Sequence, residues 1–324
     1  MAPAGAVRQA GGARPAGLVN LGNSCYISAV LQAMFGLSTL VAELHRAAAV
    51  VDAAGAPHPV LSALLECAEE HGAGGSNGPI SPAAIKRAMG VRVVAFHGGC
   101  QQDAHEFFAG LLFAVQAEVL GAEVAALGRR RLCVSQTADP ATRLFGLAVE
   151  HQLQCGACGA VSSAVEQFTH LSLELPGGGG GGGGGREVVP RGIDAMLGAY
   201  FADEAVVKAC EACGAGGATP HRLRHRVRRL PRVLALHIKR FLVEPSPGGA
   251  LATRKLPHPV ALSEGVRLDP HCLNHLLGHR PAHVADFQTL PICCISTRFG
   301  LARVAGFLMA FCWKRPGPRR WRRG

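Results

Sequence analysis

The segment GLVNLGNSCYISAVLQ, residues 17–32, decides how the rest of the chain is read. Beyond it and within it, Ile27, Val30, Leu31, Met34 and Phe35 follow the i, i+3, i+4, i+7, i+8 spacing of an amphipathic helix opening at Tyr26. Cys25 therefore stands just before a helix start, where unsatisfied N–H groups and the positive end of the helix dipole favour a thiolate. Asn20, upstream of it, can turn a side-chain N–H toward an oxyanion formed on a carbonyl that Cys25 attacks. Gly17 and Gly22 give the loop freedom to wrap such a site. Taken alone, Cys25 reads more simply as a buried thiol at a helix start.

Outward from this segment the helical pattern continues. Val60, Leu61, Leu64 and Leu65 mark a second helix, and Ser81-Pro82 predicts an N-cap and a first-position proline opening a short helix to Met89. A longer helix starts near Gln101 and carries Phe108, Leu111, Leu112, Val115 and Val119 on one face. After about residue 143 the period becomes two. Leu171, Leu173 and Leu175 alternate with polar residues, and Leu223, His225 and Val227 alternate with Arg222, Arg224, Arg226 and Arg228. VLALHIKRFLV, residues 233–243, reads as one buried strand, and Ile193, Met196, Leu197 and Tyr200 mark a short helix. The nine glycines at 177–185 bury no side chain and carry no Lys-Ser/Thr after them, so they predict a surface insertion rather than a phosphate loop.

Twelve cysteines follow a start, residues 1–16, that is rich in Ala, Gly, Arg and Pro and reads as a disordered lead without an apolar leader. Reduced thiols and metal ligation are expected, not a disulfide scaffold. Cys155 and Cys158 precede Gly159, and Cys210 and Cys213 precede Gly214. Two such knuckles supply the four soft ligands of a closed tetrahedral zinc site, which leaves no open position and makes the metal structural. The net charge of +11 is concentrated at the end: residues 273–324 hold nine Lys+Arg and one acid. A terminal basic run of this kind is usually a solvated tail, so nucleic acid is not an expected partner. No stretch approaches ~18–20 uncharged apolar residues, and no membrane span is expected.

Residues 17–32 closely resemble the cysteine box of the ubiquitin-specific proteases, papain-like cysteine deubiquitinases whose pattern reads GLxNLGNTCYMNSxLQ. QQDAHEF at 101–107 is similar to a second segment of that family. The paired CxxC knuckles and LPRVLALHIKRF at 230–241 are similar to two more, in the same order. The resemblance implies an α+β fold: a helical thumb over 17–143, then zinc-bearing β fingers and part of a β-sheet palm over 144–272, with 273–324 as an atypical basic tail. It implies hydrolysis at the C-terminal glycine of ubiquitin, with ubiquitin and ubiquitinated proteins as partners, in the cytosol or nucleus. Carried over by residue, Cys25 is the nucleophile and Asn20 the oxyanion-hole side chain. Asp103 and Glu106 face the basic tail of ubiquitin, and Cys155, Cys158, Cys210 and Cys213 hold the zinc.

One departure matters. The segment bearing the family's general-base histidine is expected after residue 272 and is not found; Gly278-His279 is followed by Arg280-Pro281. His271, His275, His279 and His283 are the histidines late enough in the chain to serve. Without that segment the palm sheet is expected to be short, with an unpaired strand edge. Two readings stay open: a working deubiquitinase, or a ubiquitin-binding pseudoprotease or truncated form that lacks the third catalytic group.

Overall fold

The computed structural model describes residues 16–73, 78–127, 137–175, 192–214, 217–246, 251–256, 260–261, 265–273, 287–288 and 307–311. The lead before Ala16, the glycine run and His275, His279 and His283 lie outside the described residues. The chain divides into two compact units, one running to Pro140 and the other beginning at Ala141.

The first unit is helical: α1 Cys25–Phe35, α2 Leu40–Ala53, α3 Pro59–Gly72, α4 Ala83–Arg92, the short α5 Val94–His97 and the long α6 Ala104–Leu127. The apolar stripe predicted for α1 is the buried one, through Ile27, Val30, Leu31 and Met34, but the helix opens at Cys25 itself. Helix α2 was not expected, although its buried Leu40, Glu43, Leu44, Ala47, Ala48 and Val51 follow the i, i+3, i+4, i+7, i+8, i+11 spacing. Pro82 is the cap residue of α4 rather than its first helical residue. Helix α6 opens later than Gln101, because one carboxylate oxygen of Asp103 accepts the N–H groups of His105 and Glu106 at 2.7 and 3.0 Å, an N-cap. Phe108, Leu111, Leu112, Val115 and Val119 are buried along it, as its pattern predicts.

Helix α6 is more apolar than the sequence reading allowed. Ala104–Ala126 is long and apolar enough to cross a membrane by length and composition, and more than half of that stretch is buried inside the protein. It packs on α1, α2, α3 and α4. Two of its carboxylates are buried and both are bonded. Glu118 accepts the N–H of Val60 at 3.1 Å and of Leu61 at 2.9 Å, capping α3, and pairs with Arg92 at 2.8 Å. Glu123 accepts the Thr137 hydroxyl and the Ala138 N–H, drawing the chain after the helix back onto it. A buried charge is tolerable only with such partners.

The second unit opens with a π-helical turn, Ala141–Phe145, and carries β1 Leu147–Cys155, β2 Val161–Phe168, β3 Leu171–Glu174, α7 Ile193–Tyr200, β4 Glu204–Ala209, β5 Ala218–Arg229, β6 Val233–Lys239, β7 Phe241–Pro245, β8 Leu251–Lys255, β9 Gly265–Val266, β10 Phe287–Gln288 and β11 Phe307–Phe311. One antiparallel sheet has the order β2-β1-β5-β4. Its inner end, at Leu147, Val149 and Val227, joins a core with Leu171, Leu173, Ile193, Leu197, Leu234, Leu236 and Ile238. The segment read as one strand over 233–243 is two. Strand β6 ends at Lys239, the Arg240 carbonyl takes the Leu256 N–H at 2.7 Å, and β7 turns away to pair with β8.

A second sheet has the order β11-β6-β3, with β3 parallel to β6 and β11 antiparallel to it. Phe307 to Phe311 pair with His237 to Val233. The edge expected to be unpaired is therefore occupied, by a strand from the region read as an atypical tail. We predict that Glu118→Ala destabilises the protein by about 3 kcal/mol, since two backbone donors and Arg92 lose their acceptor. Glu118→Gln, which keeps one carbonyl acceptor, costs less; urea denaturation of the three proteins measures the difference.

Candidate active site and thiol cluster

The loop before α1 is fastened from outside. Ile80 donates to the Gly17 carbonyl at 2.9 Å, and Val19 donates to the Ile80 carbonyl at 2.8 Å. Gly22 and Asn23 then have φ of 82° and 49°, a left-handed pair that reverses the chain. The Asn23 amide donates to the Gly99 carbonyl at 2.9 Å, tying this turn to the stretch that precedes α6.

The reversal brings Ser24 back under Asn20. The side-chain oxygen of Asn20 accepts the Gly22 N–H at 3.1 Å, the Ser24 N–H at 3.4 Å and the Ser24 hydroxyl at 3.0 Å. With the oxygen so engaged, the amide orientation is set, and the NH2 end remains on an exposed side chain. Ser24 is fully buried, and its hydroxyl accepts the Leu21 N–H at 2.8 Å. It is the cap residue of α1 but makes no side-chain bond to the helix. Cys25, a partly exposed free thiol, is the first helical residue. Tyr26 anchors that helix start: its ring lies edge-on to Phe107 at 5.4 Å and stacks near Phe96 at 6.1 Å. Burial, and then the neighbouring Cys25, push its hydroxyl pKa up.

Of the sequence-predicted residues, Asn20 and Cys25 share this loop and helix start. Asp103 and Glu106 stand at the start of α6, where Asp103 is the cap and Glu106 is exposed on the first turn. The early histidines have structural partners: His45 with Glu69, His58 with Asp52 and the Ala56 carbonyl, His71 with Gln32. His271, the described member of the late group, closes a 3-10 turn in the second unit, where its ring stacks on Phe201 at 4.7 Å.

The four knuckle cysteines converge. Cys155 ends β1 and Cys210 follows β4; because β1 and β4 both pair with β5, the two loops meet at one end of the sheet. Gly159 and Gly214 have φ of 73° and 56°, the left-handed turn each knuckle needs after its second cysteine. The four sulfurs lie within 4.8 Å of one another, and those of Cys158 and Cys210 are 3.8 Å apart. A tetrahedral site with Zn–S of about 2.3 Å has edges of roughly 3.8 Å, so the donor set fits a metal ion. The N–H groups of Cys158 and Ala157 hold the Cys155 thiol down to about 6, while burial and the other three thiols push Cys158 up to about 11, as in a cluster of thiols crowded together.

Sequence reasoning missed His221. It is buried, pairs in register with Cys155, and places Nδ1 2.8 Å from the Thr219 carbonyl. That carbonyl first, and then the thiols of Cys210 and Cys155, raise its pKa. Its only signal in the sequence is its place in β5, the strand that both cysteine-bearing strands flank. Farther down the same face, Nδ1 of His151 and Nδ1 of His225 are 2.7 Å apart, a hydrogen bond across β1 and β5.

A family model described as ubiquitin carboxyl-terminal hydrolase matches residues 16–283. Ubiquitin carboxyl-terminal hydrolase 37 of Homo sapiens is 28% identical over 275 residues, covering 79% of this chain and 26% of that protein. Ubiquitin carboxyl-terminal hydrolase 44 of Danio rerio is 28% identical over 255 residues, covering 74% of this chain and 36% of that protein. The chain thus spans about a quarter to a third of the length of these relatives. Among solved structures, the SAGA Ubp8/Sgf11/Sus1/Sgf73 DUB module bound to ubiquitin aldehyde matches with a TM-score of 0.60 at 18% identity, covering 80% of this chain and 53% of that one. The fold is thereby the papain-like α+β fold that the motifs implied. With most of its length matched, the chain belongs to the ubiquitin carboxyl-terminal hydrolase family.

Proposed function

We propose that this chain is a cysteine deubiquitinase that hydrolyses the bond at the C-terminal glycine of ubiquitin. The observation that carries the reading is the loop 20–25: a thiol at the first residue of a helix, beside an amide whose oxygen is locked and whose NH2 is exposed. Cys25 attacks the carbonyl, and the Asn20 amide donates to the tetrahedral oxyanion. The Nδ2 donor is in place before substrate arrives and needs no reorganisation. Asp103 and Glu106, at the helix start tied to this loop through Gly99, meet the basic C-terminal tail of ubiquitin. The N-cap role of Asp103 occupies one of its oxygens, so Glu106 is the stronger contact.

Departure of the amine requires a proton, supplied in such enzymes by an imidazole. The family's segment for that group is not found in this chain, and His271, His275, His279 and His283 are the histidines late enough in order to replace it. His271 is a poor choice, since its ring is stacked on Phe201. That engagement favours a second reading, a protein that binds ubiquitin without turning it over. The thiol cluster holds one structural Zn2+, fixing the outer end of the β2-β1-β5-β4 sheet, and a reducing compartment, cytosol or nucleus, keeps its ligands available.

Steady-state release of a fluorogenic amine from the C-terminus of ubiquitin tests the main reading. Turnover by the chain is expected to fall to background in Cys25→Ala, a loss of about 10⁴-fold or more, with ubiquitin binding retained. A folded chain that binds ubiquitin with no Cys25-dependent turnover supports the second reading instead. Glu106→Arg is expected to raise KM about tenfold with little change in kcat, and more steeply at low salt. For the metal, elemental analysis is expected to give about one Zn2+ per chain, and none in Cys213→Ser. Chelation is expected to speed hydrogen exchange in β1 and β5 and leave α6 protected; equal exchange with and without chelator would remove the metal's structural role.

A further inference from the structure

Ser24 breaks the local rule for its position. A serine at an N-cap ordinarily bonds its hydroxyl to the N–H groups of the first helical turn, which stabilises the helix by about 1 kcal/mol. Here the hydroxyl makes no such bond. It accepts from the Leu21 N–H at 2.8 Å and donates to the Asn20 side-chain oxygen at 3.0 Å, on a residue with no exposed surface. The left-handed turn at Gly22 and Asn23 is what makes this geometry reachable. A buried group turned from its usual partner toward a residue of the site points to a site requirement.

Resting on the deubiquitinase reading, we propose that Ser24 is a positioning residue for Asn20: its hydroxyl fixes the amide with Nδ2–H outward, ready for the oxyanion. A side-chain amide on an exposed loop can flip by 180° and present its oxygen, which repels an oxyanion. Of the three donors on the Asn20 oxygen, the Gly22 and Ser24 N–H groups lie at 3.1 and 3.4 Å, and the hydroxyl makes the shortest bond. It alone belongs to a side chain and can be removed without altering the backbone. The same choice leaves the first turn of α1 without a side-chain cap beside Cys25, so no serine oxygen competes with an incoming oxyanion for those N–H groups.

The test compares Ser24→Ala and Ser24→Thr with the unaltered full chain, using two probes and one spectroscopic readout. Hydrolysis of a fluorogenic ubiquitin amide passes through the oxyanion. Alkylation of Cys25 by ubiquitin carrying a C-terminal haloalkyl group is a direct displacement that forms none. Ser24→Ala is expected to lower kcat about 10- to 100-fold, with alkylation within about twofold and KM unchanged. Ser24→Thr, which keeps the hydroxyl, is expected to stay within about threefold on both. Where the unaltered chain turns over, equal losses on both probes, or no loss on either, overturns the proposal.

The third readout is independent of turnover. The Asn20 side-chain NH2 resonances, assigned by their loss in Asn20→Ala, are expected to stay sharp in the unaltered chain and in Ser24→Thr. In Ser24→Ala they are expected to broaden or average. Unchanged Asn20 resonances in Ser24→Ala overturn the proposal even if the chain turns over no substrate. Sharp resonances that depend on the hydroxyl in a chain without turnover uphold the positioning role while the deubiquitinase reading fails.

Discussion

A polar group removed from water must find a partner, and this requirement organises the helical unit. Helix α6 is apolar enough that its composition alone would suit a bilayer. What ties it to its neighbours is a pair of buried carboxylates, each spent on another segment's backbone. Glu118 holds the start of α3, whose first turn has no side-chain cap of its own. Glu123 holds the chain that returns after the helix. The same logic at smaller scale shapes the loop before Cys25, where the buried Ser24 hydroxyl serves one donor and one acceptor at once. Helix packing positions α1, but the amide geometry beside Cys25 depends on bonds rather than on burial.

The β2-β1-β5-β4 sheet works under the opposite condition. Strand β2 is exposed along nearly its whole length, and most of β4 is too. Its outer half covers no core, so the hydrophobic term that stabilises the inner end, at Leu147, Val149 and Val227, fades outward. A thin antiparallel sheet of this kind needs another constraint at its far end. The thiol cluster sits there, at the two turns that flank β5, and a bound ion would supply folding free energy where burial cannot.

Legibility follows from the same division. Where one face is buried, the sequence shows its period: the stripes of α1 and α6, the Leu171-Leu173-Leu175 alternation and the charged face of β5 all stand where their spacing puts them. Where both faces meet water, no pattern survives, and β2 and β4 left no signal. The continuous apolar run at 233–243 concealed a break, because the interruption at Arg240 is made by a backbone bond to Leu256. The motifs singled out Cys25, Asn20 and the four cysteines; the structure places the first two in one loop and helix start and gathers the sulfurs of the other four. His221 and the capping role of Asp103 were not legible, since each depends on strand register or on a bond to a local N–H rather than on residue spacing.

The strand β11 changes what the absent histidine segment means. A sheet ending at β6 would expose unpaired N–H and C=O groups and invite association with another chain. Instead residues 307–311 pair along β6 in regular antiparallel register, while β3 covers the other edge. The region that departs from the family pattern thus performs part of the structural work expected of the segment it replaces. The pairing of β11 therefore bears on folding alone. Strand β6 is paired on both sides, and what distinguishes residues beyond 272 is, on the proposed reading, chemical: the source of one proton for the leaving amine.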